Sequence, residues 1–159
     1  MTKAPVIHRE TVQTQWVDYN GHMNVAYYVL IFDHATDALL DQVGIDEDYR
    51  EQTGGSVFVV ESHILYLQEI LSGTQVEIST HILDVDEKRL HLIHSMYLPD
   101  ADEPAATIEL MILHVDLDTR RSAPFADRAK SALVQMRNDH TRFPRPPQSG
   151  RQVGIRKTR

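Results

Sequence analysis

The chain has 159 residues, a formal net charge of -7 and no cysteine, which suits one domain with a core large enough to fold without disulfide or metal. The missing cysteines exclude a disulfide framework, a thiolate nucleophile and cysteine-built zinc or iron–sulfur sites. The acidic balance disfavours nucleic acid as a partner. No leader pattern is expected in Met1–Glu10 and no apolar run is long enough to cross a bilayer, so a cytoplasmic location is expected.

Val6 to Trp16 alternates loosely and reads as a first strand. Asp18 to Asn24 (DYNGHMN) is rich in turn formers. From Val25 to Val43 the pattern becomes helical, with Tyr28, Phe32, Ala35, Leu39 and Val43 at three- and four-residue spacing. The first half, VAYYVLIF, is apolar nearly all round and predicts a helix buried on every side. Gly44 follows at the position where helices favour glycine.

A loop containing Gly54 and Gly55 then leads into four strands: Ser56–Leu67, Gln75–Val85, Arg89–Leu98 and Ala105–Leu117. Val76, Ile78, Thr80 and Ile82 share one face, as do Leu90, Leu92, His94 and Met96. Short connections at Asp86-Glu87 and Asp100–Asp102 predict antiparallel hairpins. Pro124 to Arg137 predicts a closing helix with Phe125, Ala129, Leu133 and Met136 on one stripe. Residues 1–140 are expected to form one domain. Residues 141–159 carry six basic and no acidic residues and are expected to form a flexible tail. An α+β protein is expected, in which an antiparallel sheet of about five strands wraps one long helix. Open sheet edges and a partly open helix lead us to expect a homodimer or a dimer of dimers.

The stretch Trp16-Val17-Asp18-Tyr19-Asn20-Gly21-His22-Met23-Asn24 is the most informative in the chain. It sets a carboxylate in a turn before a helix. Gly21 lets backbone approach a ligand closely. The helix start offers free N–H groups and a positive dipole end. Such an end can hold a carbonyl oxygen as it gains charge, while a neighbouring carboxylate attacks or activates water. On local physics alone, Asp, Asn and Gly before a helix are more often an ordinary capping turn.

The pattern Asp18-x-x-Gly21, followed by His22-Met23-Asn24 and the long helix, resembles the 4-hydroxybenzoyl-CoA thioesterase-like hotdog family over residues 8–137. The resemblance implies a hotdog fold, hydrolysis of an acyl-CoA without metal or organic cofactor, and Asp18 as catalytic carboxylate. It further implies oxyanion donors near Asn24 and Val25. A narrower similarity, carried by WVDYNGHMN, VESHILYL, KRLHLIH and ILHVDLDTRRSAP, is to betainyl-CoA thioesterases. These occur beside or fused to carnitine dehydrogenase, so association with that enzyme is implied, with glycine betaine and CoA as products.

A trimethylammonium group cannot donate an N–H hydrogen bond and is held by aromatic faces and carboxylates. Trp16, Tyr19, Tyr27 and Tyr28 are close in sequence to Asp18, and Glu61 lies in an otherwise apolar strand. On that strand Val57, Val59, Glu61, His63, Leu65 and Leu67 are expected to share a face, and which face of the strand meets the helix stays open. In a site role Glu61 would pair with the ammonium and His63 would orient Glu61 or a water. Each of these side chains is equally consistent with a core or interface role. His22 either orients Asp18 or caps the turn. Asp33, His34 and Asp37 fit a polar helix face rather than a metal motif, and His91, His94 and His114 read as structural. The chain has no Gly-x-Ser-x-Gly elbow, Walker loop or dinucleotide fingerprint. Three other readings remain: a thioesterase for another short-chain or aromatic acyl-CoA, a hotdog dehydratase, and a non-catalytic acyl-CoA or betaine binder.

Overall fold

Alternating apolar residues in the later strands give a sheet with one dry face, and the apolar run after Asn24 gives the helix that covers it. In the computed structural model, which describes residues 3–158, the strands are β1 (Val6–Thr11), β2 (Gly55–Tyr66), β3 (Gln75–Val85), β4 (Arg89–Tyr97), β5 (Ala106–Asp116) and a two-residue β6 (Arg121–Ser122). The helices are α1 (Val25–Gln42), α2 (Glu47–Thr53) and α3 (Asp127–His140). The sheet is antiparallel in the order β1-β3-β4-β5-β2, with β6 on β5. This is the hotdog fold, as the sequence predicted.

The dry face is built as expected from Val76, Ile78, Thr80, Ile82, Leu90, Leu92, His94, Met96, Ile108, Leu110 and Ile112, all buried. Ile31, Phe32, Ala35 and Leu39 of α1 pack into it. Each large apolar side chain so buried contributes roughly 1.5–3 kcal/mol. The β3–β4 hairpin is pinned by Asp86, whose carboxylate accepts the N–H groups of Lys88 and Arg89 at 3.0 and 2.7 Å.

Four expectations are corrected. The first strand ends at Thr11, and Thr14–Trp16 forms a 3-10 turn instead. That turn carries Trp16 into the core, where its carbonyl accepts the Asn24 N–H at 2.9 Å. The loop before Gly54 holds α2, capped by the Asp46 carboxylate on the Tyr49 N–H at 3.0 Å and stopped by Gly54 at φ 68°. α1 is not buried all round: Val25, Val29 and Leu30 are exposed in the single chain.

The fourth correction bears on the site. A bulge between Val59 and Glu61 breaks the alternation of β2. Val59 stands opposite inward-facing Ile112, whereas Glu61 stands opposite Met111 and His63 opposite Glu109. One extra residue, Val60, therefore turns Glu61 and His63 to the outer face of the sheet. Val57 and Val59 stay on the inner face, beside Asp33, Thr36 and Leu40 of α1. α3 follows Pro124-Phe125-Ala126 and runs one turn beyond the predicted end, to His140. There the His140 Nδ1 accepts the Ile82 N–H at 2.9 Å and ties α3 to β3. Residues 150–153 lie against the outer face of β2, β4 and β5, with the Gly150 N–H on the Glu109 carboxylate at 2.7 Å.

Candidate active site

The turn before α1 is closed by its own backbone. The Asp18 N–H donates to the His22 carbonyl and the Gly21 N–H to the Asp18 carbonyl, both at 3.0 Å. Gly21 sits at φ 81°, a conformation that favours glycine. One carboxylate oxygen of Asp18, Oδ1, accepts the Asn20 N–H at 2.9 Å and the His22 N–H at 3.4 Å. The turn thus aims the carboxylate and occupies one oxygen. The other, Oδ2, makes no hydrogen bond among the described residues, and Asp18 is exposed.

Asn24 caps α1, its side chain accepting the Ala26 N–H at 3.0 Å. Its own N–H is taken by Trp16, and the Tyr27 N–H by the Asn24 carbonyl. Among the described residues the first-turn donor left without a partner is the N–H of Val25, a residue that is exposed as a whole. Of the two backbone N–H groups expected to act near the helix start, that of Val25 makes no hydrogen bond among the described residues and that of Asn24 is taken. A donor at a helix N-terminus faces the positive end of the dipole and suits a developing oxyanion.

Beside Val25 opens a cleft of about 270 Å³, lined also by His22, Tyr28, Tyr66, Gln68 and Glu69. It is smaller than the roughly 300–1,000 Å³ of clefts that take drug-sized ligands. The 67–71 segment is drawn to the turn by the Met23 N–H on the Ile70 carbonyl at 2.9 Å and by bridging of His22 with Leu71. His22 Nε2 lies 2.7 Å from the Glu69 carboxylate. The rings of Tyr28 and Tyr66 meet edge to face, with centroids 5.1 Å apart. The Tyr28 hydroxyl donates to the Gln68 carbonyl at 3.3 Å. Burial raises both phenols above their ordinary range, so both stay protonated.

The structure brings His22, Val25 and Tyr28 together at this cleft and sets Asp18 and Gly21 in the adjoining turn. It does not bring Glu61 or His63 to it; they line an outer-face groove with His91 and Glu109. Trp16 is 6% exposed and stacked on Tyr27 at 5.5 Å, so these two rings cover one another. Tyr19 points away, 97% exposed in the single chain. The cleft wall formed by Tyr66, Leu67, Gln68 and Glu69 is what sequence reasoning missed. Its only local signal is a polar QE pair ending an apolar strand.

His94 and His114 are structural, as read. The Thr36 hydroxyl donates to the Phe32 carbonyl and so accepts from His94 Nε2 at 2.9 Å, while Thr80 donates to Nδ1 at 2.7 Å. Burial pushes His94 down to about 3. The Tyr49 hydroxyl joins His114 Nε2 at 2.8 Å, and His114 Nδ1 donates to the Ala123 carbonyl.

Residues 12–133 match the family described as the thioesterase-like superfamily. The chain belongs to that family and is a thioester hydrolase by class. It is 39% identical over 155 residues to the betainyl-CoA thioesterase of Pseudomonas aeruginosa, covering 98% of each chain. It is also 39% identical to the L-carnitine dehydrogenase/betainyl-CoA thioesterase of Agrobacterium fabrum, covering 96% of this chain and 31% of that one. Among solved structures, a Pseudomonas putida protein described as a candidate thioesterase is 41% identical, with a TM-score of 0.86 over 99% of this chain and 100% of that one. A Staphylococcus aureus protein solved in complex with CoA is 27% identical, with a TM-score of 0.90 over 98% and 99%.

Proposed function

We propose that this protein hydrolyses betainyl-CoA to glycine betaine and CoA. The observation that carries the reading is one cleft holding both an open N–H at the start of α1 and, beside it, the exposed ring of Tyr66, backed by buried Tyr28, with the Glu69 carboxylate. The first suits a thioester carbonyl and the second a trimethylammonium group. The full-length similarity to the Pseudomonas aeruginosa enzyme supports the same substrate.

In this reading the Val25 N–H polarises the thioester carbonyl. Asp18 either attacks that carbon or takes a proton from an attacking water. Both routes break the carbon–sulfur bond, add water across it and leave the proton on the CoA thiol. His22, held by Glu69, orients the entrance to the turn. Trp16 and Tyr27 support Asn24 and the turn from beneath rather than touching the ammonium.

The acyl group enters between two subunits of a homodimer, with CoA along the outside. This is supported by the apolar exposure of Val25 and Val29 on α1 and of Phe58, Val59 and Val60 on β2, which among the described residues has no strand on its second edge. An association with an L-carnitine dehydrogenase is supported by the Agrobacterium fabrum relative, which carries both names in one chain. The reaction would run in the cytoplasm, where acyl-CoA thioesters are made.

The test is release of free thiol from betainyl-, acetyl-, butyryl- and 4-hydroxybenzoyl-CoA, with Asp18→Asn as control. A strong preference for betainyl-CoA that disappears in the variant supports the reading. Equal or better turnover of the neutral thioesters removes it.

A further inference from the structure

We propose that His8, Glu10 and His34 form a binding site for a divalent transition-metal ion of the zinc type, separate from the catalytic turn. The three side chains come from two elements. His8 and Glu10 pair with inward-facing Ile78 and Val76, so both point from β1 toward α1, where His34 meets them. A bulge between Val6 and His8 sets the aim of the first ligand. The sequence pattern assigns apolar residues to inward positions on a strand, yet this edge strand places an imidazole and a carboxylate there.

The distances fit a metal ligand set. His34 Nδ1 lies 2.8 and 3.0 Å from the two Glu10 oxygens, and His8 Nε2 lies 3.2 Å from Oε2. All three donor atoms fall within 4.8 Å of one another. A tetrahedral zinc ion with bonds of about 2.0–2.2 Å needs its ligands about 3.4 Å apart. Two of the three separations are already close to that, and the pair of imidazoles has only a short way to close. The side chains are partly buried, at 23%, 17% and 37% exposed. Glu10 is therefore held in place, while the His34 side leaves room for water as a fourth ligand.

Two imidazoles and one carboxylate select borderline ions such as zinc or cobalt over magnesium or calcium, which prefer oxygen alone. His34 lies ten residues beyond Asn24 along α1, which at the rise of a helix is about 15 Å. The ion would thus clamp edge strand β1 to the central helix without entering the cleft.

The experiment is titration of the full chain with cobalt(II), read by its visible absorption, followed by displacement with zinc and a thermal melt with and without zinc. The expected result is one equivalent bound, with melting raised by zinc. Glu10→Gln, His34→Ala and His8→Asn should each weaken binding at least about tenfold and abolish the zinc-dependent rise in melting temperature. Circular dichroism checks that each variant is folded. Absence of stoichiometric binding in the wild type, or binding unchanged in all three variants, would overturn the proposal.

Discussion

The Asp18 carboxylate accepts the backbone N–H of Asn20 at 2.9 Å through Oδ1, so the turn that displays this acid also fixes its direction. An asparagine side chain can accept the same N–H through its amide oxygen. Asp18→Asn should therefore keep the turn and the melting behaviour, within about 0.5 kcal/mol as for a surface change. Its turnover should fall by at least about a hundredfold, the usual share of a general base or more, with KM little changed. Stopped thiol-release assays beside a thermal melt separate the two effects. Single-turnover hydrolysis in heavy-oxygen water adds the route: label found in Asp18 means direct attack with water opening the anhydride at the Asp18 carbonyl, whereas label only in betaine is shared by an activated water and by an anhydride opened at the betainyl carbonyl, which rapid-quench trapping of the acyl-enzyme then separates.

Asn24 holds a second local point. Its side chain satisfies Ala26 and leaves Val25 as the open donor. Asn24→Ala should cost about 1 kcal/mol through the lost cap. It should also lower kcat, because the freed Ala26 N–H and a frayed first turn no longer present the Val25 N–H in one place. Asn24→Asp, which caps equally well, should restore stability. A variant that loses neither stability nor kcat would show that the first turn does not hold the substrate carbonyl.

The outer edge of β2 makes its own prediction. Val60 is the additional residue of the bulge and is 56% exposed. A lysine on an open edge strand discourages pairing with another chain. Val60→Lys should convert a dimer into a monomer in sedimentation equilibrium while circular dichroism stays unchanged. An unchanged mass would place the subunit contact elsewhere.

Stability should depend on acid through buried imidazoles. His94 is held at about 3, below the value of about 6.5 of an ordinary imidazole. The unfolded chain then binds more protons between those two values, so stability is complete above about pH 6.5 and falls as pH drops toward 3. Lowering pH from about 7 to about 5 should cost about 2 kcal/mol from His94 alone. His81, His114 and His140 are also lowered by burial and act in the same direction. Denaturant melts across that range measure the slope. His94→Leu should flatten it and lower stability at neutral pH, because the buried Thr80 hydroxyl loses its acceptor at about 1–3 kcal/mol.

Much of the molecule was legible in the sequence because its signals are local. The alternation of Val76 through Ile82 and of Leu90 through Met96, the helical spacing from Tyr28 to Leu39, and the cap-and-turn chemistry of DYNGHMN are each read within one element. α2 was missed although Asp46, its acidic first turn and Gly54 all mark it, since seven residues without an apolar stripe carry no period. The bulge at Val60 gives no sign at all in the run VFVVES, and that one residue parts Glu61 and His63 from the face of Val57 and Val59, which the sequence had them share. Tyr66 and Glu69 reach the cleft only through Met23–Ile70 and His22–Leu71 pairing between distant segments. That long-range information is set by the packed fold.

The cation-binding account is tested most directly by comparing kcat/KM for betainyl-CoA with that for its neutral isostere, the tert-butylacetyl thioester of CoA. The two acyl groups share shape and differ in charge. A preference for the cation of at least about tenfold is predicted, equivalent to about 1.4 kcal/mol and within reach of an aromatic pair and a carboxylate. It should shrink in Tyr66→Leu and in Glu69→Gln. Equal rates on both thioesters in the wild type would contradict recognition of the trimethylammonium group by this cleft.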